Sequence, residues 1–251
     1  MQEVAEQVTF SVSNWRGGLE EAVNKFGFAI IEPGSDDHGI QLEDVMLPLG
    51  EPVEYGFGTK LTLEPQESSD NLQFTTGAMR LHADSTFNSG PSVKYIGMQC
   101  HTAPEIGGET LVAQSAAFFE HAPEDLVETM RDIVIEYRNR IGSYYKDRAE
   151  GDHPRLAPIQ VDPETGEQKV VIGFTDPNDP LRTHDATVVS YDPEQSAALL
   201  RRIEEALHLP NVLYAHRWKV GEIMVLDNRR VLHGRSAFPN QPRKLIRLSV
   251  A

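Results

Sequence analysis

From about Leu61 to its C-terminus the chain is cut into short β-like runs, and this patterning restricts the fold more than any other feature. Leu61 to Leu63, Leu72 to Thr75, Val93 to Cys100, Thr110 to Ala113 and Ile133 to Tyr137 read as strands. Ile159 to Val161 and Lys169 to Phe174 flank Asp162-Pro163-Glu164-Thr165-Gly166, a run with hairpin turn chemistry. Glu222 to Asp227, Arg230 to His233 and Lys244 to Val250 close the series. So many short strands predict a mainly β chain with flanking helices, a double-stranded β-helix of jelly-roll type.

Helices are expected at the start and as insertions. Leu19, Ala22, Val23 and Phe26 fall on one helical face, Phe28 to Glu32 follows as a buried strand, and Leu42 to Leu47 reads as a second short helix. Asp192 is a natural N-cap, with Pro193 at the first helical position and Gln195 completing a capping box. The stripe Leu199, Leu200, Ile203, Ala206, Leu207 then runs to Pro210. Without internal repeats or long linkers, residues 1–251 read as a single domain. A helical and strand segment fills about 1–60, and the jelly-roll core about 61–251.

The formal net charge of −15 excludes nucleic acid as an expected partner, because phosphate binding needs a basic face. It leaves room for an anionic small molecule held by a few buried arginines. No apolar run is long enough to cross a bilayer, and the opening residues lack a signal-peptide pattern. One cysteine, Cys100, excludes an internal disulfide and fits a reducing compartment, so the cytoplasm is the expected location.

The chemistry concentrates around Leu81-His82-Ala83-Asp84. Residues two apart on a strand share a face, so His82 and Asp84 can reach one metal ion. His233 ends an apolar run far down the chain. Two histidines and a carboxylate make the facial triad that suits Fe(II) and leaves coordination positions open. The alternative for His82 and Asp84 is a local hydrogen-bonded pair. Shortly after His233, Arg243 and Arg247 stand four apart on an expected strand and share a face. Inward arginines are costly unless they meet anions, and a guanidinium suits a carboxylate. An edge strand with both in solvent is the other reading.

His82-x-Asp84, then Gly107-Gly108-Glu109-Thr110, then Asp227-Asn228-Arg229-Arg230-Val231-Leu232-His233-Gly234-Arg235, then Arg243, resemble the taurine dioxygenase group of Fe(II)/2-oxoglutarate oxygenases. His-Gly-Arg-x-x-Phe and the Arg-x-x-x-Arg near the end resemble its clavaminate synthase-like branch, which includes oxygenases acting on amino acids. Many members of that branch carry Glu where this chain has Asp84, and their spacing to the arginine is longer. The resemblance implies that His82, Asp84 and His233 bind iron and form the catalytic centre. It implies that Arg243, assisted by Thr110, holds the distal carboxylate of 2-oxoglutarate, and that Arg247 lies beside the substrate. The implied reaction consumes O2 and 2-oxoglutarate, releases succinate and CO2, and hydroxylates a small amino acid or amino-acid derivative. A sulfonate or other organic acid is the alternative substrate, and desaturation, cyclisation or epoxidation the alternative outcome. Asp84 fills the position that related halogenases give to a small residue.

Two other classes compete. A zinc hydrolase can use the same three ligands but leaves the arginine pair unexplained. A silent jelly-roll binding module leaves the whole set unexplained. Around the metal strand, Gln73, Thr75, Thr76 and Phe87 suit a pocket wall, or simply alternate in a half-buried strand. Arg80 is a pocket cation or a surface residue, and Tyr144 to Arg155 reads as an exposed loop or lid. His101 lacks a partner at ligand spacing, His153 and His216 look isolated, and His184 lies in a segment that could reach the site.

Overall fold

The computed structural model describes residues 2–34, 40–55, 58–85, 92–140 and 153–251. The N-terminal elements are α1 (Gln2–Val8), β1 (Thr9–Ser11), α2 (Trp15–Phe26), β2 (Phe28–Glu32) and α3 (Leu42–Met46). Then come β3 (Lys60–Leu63), β4 (Met79–His82), β5 (Tyr95–Thr102), β6 (Thr110–Gln114), α4 (Ser115–His121), α5 (Glu124–Asp132) and β7 (Ile135–Asn139). The chain continues through β8 (Arg155–Leu156), β9 (Ile159–Val161), β10 (Gln168–Val170), β11 (His184–Val188) and α6 (Pro193–Leu207). It ends with β12 (Leu213–His216), β13 (Ile223–Asp227), β14 (Val231–Arg235) and β15 (Lys244–Val250).

The strands build a mainly β molecule with flanking helices. One sheet has the order β1-β2-β13-β5-β15-β3, and a second runs β12-β6-β14-β4. Smaller sheets pair β11-β7-β8 and β10-β9. Side-chain alternation assigns each strand two jobs. On β14, Val231 joins the core shared by the two large sheets, while Leu232 joins the core under α4, α5 and α6. On β15, Leu245 faces the shared core and Leu248 and Val250 face the helices α2 and α3. His233, Arg235 and Arg247 therefore carry the inward parity of their strands, whereas Arg243, expected on the same strand as Arg247, lies just before β15, where the register with β5 shifts between Lys244 and Leu245.

Local chemistry sets the helix ends. Asp192 accepts from Gln195 N, the Gln195 side chain reaches back to Asp192 N, and Pro193 opens α6, as the sequence predicts. Gly27 closes α2 at φ 78°, with its N–H on the Val23 carbonyl. Among the described residues no helix is long and apolar enough to cross a membrane.

Two expected strands differ. Leu72 to Thr75 is a 3-10 turn over Leu72–Phe74, because Asn71 caps Gln73 N and the Arg235 guanidinium takes the carbonyls of Leu72 and Gln73. Those groups are unavailable to a ladder. In Lys169 to Phe174 the ladder stops at Val170, and the chain crosses to β4 by bonds from Ala83 N to Ile172 O and Phe174 N to Leu81 O. That crossing supports the histidine strand from its open side.

Candidate active site

The β14–β4 register sets His233 directly opposite His82, with ring centroids 4.4 Å apart. Asp84 lies beyond the end of β4, in a turn where Ser85 takes φ 60°. The expected meeting of His82 and Asp84 thus occurs, but by a turn rather than by strand alternation. Asn228 holds that turn from the β13–β14 loop. Its Oδ1 accepts from Asp84 N at 2.8 Å, and its Nδ2 donates to Asp84 O at 3.1 Å and Val93 O at 3.0 Å.

The donor atoms converge. Asp84 Oδ1 is 3.5 Å from His82 Nε2 and 3.6 Å from His233 Nε2, and one ligand atom from each residue lies within 4.8 Å of the others. His82 Nδ1 is 2.9 Å from the Arg80 carbonyl, which assigns it the proton and leaves the Nε2 lone pair for a cation. Burial, then the neighbouring His82, pushes His233 down to about 3, so its imidazole is neutral at physiological pH. Its Nδ1 is buried without a hydrogen-bond partner. Burial opposes ionisation of Asp84, yet Arg247, with His82 and His233, holds its carboxyl well below the usual range. Arg247 donates to Asp84 Oδ2, so one carboxylate oxygen is committed and the other faces the histidines. Two neutral imidazoles and an ionised carboxylate are a donor set that fits a divalent iron.

A second cluster of buried polar groups, Thr110 on β6, Arg235 on β14 and Arg243 just before β15, lies beside the triad. Thr110 stands opposite Arg235 in the β6–β14 register, two residues from Val112 opposite His233. Arg243 Nε donates to the Gly108 carbonyl at 3.1 Å. Burial lowers Arg243 to about 10, and burial with the nearby Arg243 does the same to Arg235. Their guanidinium carbons lie 5.5 Å (Arg235) and 5.7 Å (Arg243) from the Phe238 ring centroid. Gly107 and Gly108 adopt φ 72° and 71°, and a Cβ on Gly108 would stand 3.1 Å from Arg243 Cδ. The glycine pair is what lets the guanidinium approach the backbone.

The sequence profile described as "Taurine catabolism dioxygenase TauD, TfdA family" matches residues 5–249. The chain belongs to this family. It is an Fe(II)- and 2-oxoglutarate-dependent dioxygenase, an oxidoreductase that also consumes O2. Among TauD/TfdA relatives, the 3-((Z)-2-isocyanoethenyl)-1H-indole synthase of Fischerella ambigua is 26% identical over 208 residues, covering 80% of this chain and 73% of that protein. The tyrosine isonitrile desaturase of Pseudomonas aeruginosa is 29% identical over 213 residues, covering 80% of this chain and 69% of that protein. The crystal structure of the PvcB protein of Pseudomonas aeruginosa shares the fold at TM-score 0.71 and 22% identity, over 92% of this chain and 78% of that one.

In this TauD/TfdA-family chain a cavity of about 380 Å³ opens onto His82 and Asp84. Arg247, Gln73 and Arg80 line it. Arg80 is half in solvent, paired with Glu204 at 3.1 Å and bonded to the Thr175 carbonyl. Thr75 stands off the wall and spends its hydroxyl on Leu72 O, while the Thr76 carbonyl accepts from Phe238 N. Phe87 and residues 144–152 of the expected lid lie outside the described residues. His184 does reach the cavity, with Nε2 3.0 Å from Gly173 O and Nδ1 2.9 Å from Thr183 Oγ1. His216 is not isolated: it is buried with Nε2 2.9 Å from Glu222 Oε2. His101 is exposed, where the β15–β5 register shifts. Asn228, Arg235 and Trp218 carry no expectation from the sequence, although the first two stand inside the quoted Asp227 to Arg235 motif.

Proposed function

We propose that this enzyme oxidises a C–H bond of a small carboxylic acid, an amino acid or an amino-acid derivative, with succinate and CO2 as co-products. The observation that carries this reading is Arg247, a largely buried guanidinium on the cavity wall beside the carboxylate of the triad. In it, His82, Asp84 and His233 hold iron and form the catalytic centre, and Arg243 with Thr110 holds the distal carboxylate of 2-oxoglutarate. Arg247 holds the acidic group of the substrate, and Gln73 and Phe87 contribute further contacts. Bound there, iron with 2-oxoglutarate and O2 supplies the oxidising chemistry.

The chain's own groups do the remaining work. Burial keeps His233 neutral, so its lone pair is available as a ligand. Arg247 keeps Asp84 ionised and occupies its outer oxygen, which orients the inner one towards the histidines. Ser249 Oγ accepts from Arg247 Nε at 3.1 Å and from Nη2 at 3.0 Å, fixing the guanidinium plane. Apolar walls from Leu61, Ala83 and Phe174 exclude water around the substrate.

The same reading takes residues 1–251 as one oxygenase domain, with the two large sheets forming a double-stranded β-helix of jelly-roll type. It has the enzyme act in the cytoplasm on a small molecule and not on nucleic acid, in keeping with the net charge of −15 and the unpaired, buried Cys100. A second outcome, desaturation, is supported by the relative named as a tyrosine isonitrile desaturase.

The test is succinate release with Fe(II), 2-oxoglutarate and O2 across amino acids, amino-acid derivatives, aryl carboxylates and sulfonates, with mass analysis of each product. An amino-acid-derived carboxylate that raises succinate and gains one oxygen is the expected result. Loss of two hydrogens instead selects desaturation. Stimulation by sulfonates alone would overturn the substrate class.

A further inference from the structure

The geometry points to Trp218 as a positioning residue for 2-oxoglutarate: its indole N–H fixes the Thr110 hydroxyl so that its one proton is presented to the distal carboxylate. This inference rests on the proposed assignment of that carboxylate to Arg243 and Thr110.

Trp218 and Thr110 are both buried, and Trp218 Nε1 donates to Thr110 Oγ1 at 3.0 Å. An indole N–H only donates, whereas a threonine hydroxyl has one proton on a rotor and two lone pairs. With the indole on one lone pair, the proton is turned away from the indole. Among the hydrogen bonds of the described residues no acceptor takes it. It is a buried donor held in reserve.

What it faces is cationic. Thr110 stands opposite Arg235 in the sheet and two residues after Gly108, whose carbonyl anchors Arg243. Among the described residues neither arginine forms an ion pair, so two buried guanidinium groups stand near each other without a carboxylate paired to them. Arg235 spends its donors on the carbonyls of Leu72, Gln73 and Gly77, while only Nε of Arg243 is committed, to Gly108. Buried cations without an anion are costly, and an entering carboxylate satisfies both the charge and the hydroxyl.

The indole is itself braced. The His216 ring meets it edge-on, centroids 4.8 Å apart at 81°. His216 is in turn held by Glu222, which also accepts from Lys219 N at 2.7 Å. His216 is the register partner of Thr110 on β12, so the brace runs across the sheet from the far edge.

The experiment measures calorimetric dissociation constants of the Fe(II)-loaded protein without oxygen, for 2-oxoglutarate and for 2-oxovalerate, which lacks the distal carboxylate. Trp218→Phe keeps the aromatic packing and removes the N–H. Loss of one net hydrogen bond predicts roughly three- to tenfold weaker 2-oxoglutarate binding, with 2-oxovalerate unchanged. In Thr110→Val the same tryptophan change is expected to add nothing. Equal weakening of both acids, or of neither, overturns the inference, as does an undiminished effect in Thr110→Val. Should Trp218→Phe not fold, the indole resonances of the Zn(II)-loaded wild type decide, with Trp15 as the internal control. The Trp218 signal is expected to move more with 2-oxoglutarate than with 2-oxovalerate, and equal movement overturns the idea. Arg243→Gln separates the two claims. If it leaves 2-oxoglutarate binding intact, the cosubstrate assignment itself falls. If it weakens binding while Trp218→Phe does not, only the role of Trp218 falls.

Discussion

Replacing Asn228 with Ala tests how the carboxylate of the triad is held. The side chain makes three hydrogen bonds, to Asp84 N, Asp84 O and Val93 O. At about 1 kcal/mol net for each bond, Asn228→Ala is expected to destabilise the metal-free protein by about 2–3 kcal/mol. The lower end applies if water reaches the half-buried Asp84 turn, while the Val93 carbonyl stays buried and unsatisfied. Metal affinity carries the sharper signal. Loss of an outer partner that orients a ligand typically weakens metal binding by roughly 10–100-fold. Urea unfolding gives the first quantity and anaerobic Fe(II) titration the second. Wild-type iron affinity, with a stability loss under about 0.5 kcal/mol, would refute the claim that Asn228 sets the Asp84 turn.

Two further outcomes follow from the geometry. Burial pushes His184 down to about 4, against an ordinary value of 6.5, so between these pH values the unfolded chain takes up the proton more readily. Its stabilisation is therefore complete above pH 6.5 and is lost as pH falls towards 4, by up to about 3 kcal/mol; the stability difference between wild type and His184→Gln should shrink accordingly, and a pH-independent difference in urea titrations would contradict it. Gly108→Ala places a Cβ at φ 71° and 3.1 Å from Arg243 Cδ; it is expected to cost about 1–2 kcal/mol and to raise the KM for 2-oxoglutarate, and an unchanged KM would remove Gly108 from the cosubstrate pocket.

The sequence made the site more legible than the connections around it. His82 and His233 sit opposite each other on paired strands of one sheet, and Arg247 on a strand of the other large sheet with the parity of the core-facing Leu245, so their inward placing follows from period-two logic. Asp84 meets the histidines although the strand has already ended, because Asn228 supplies a contact 144 residues away in sequence. No local pattern announces such a contact, nor the Trp218–Thr110 bond across 108 residues. The misread strand at Leu72 to Thr75 has a related cause. Its residues suit a strand, but Asn71 and the distant Arg235 take the backbone groups that a ladder needs. His216 looks isolated in sequence because Glu222, six residues on, becomes its buried partner only when β12 and β13 are placed in their separate sheets.

The most direct test of the central claim is succinate formation from 2-oxoglutarate by the wild type and by Asp84→Ala, each with Fe(II) and O2. The account predicts succinate from the wild type, dependent on iron and oxygen, and none above background from Asp84→Ala. Equal succinate from both proteins, or turnover of the wild type that is indifferent to iron, would contradict the placing of the catalytic centre at His82, Asp84 and His233.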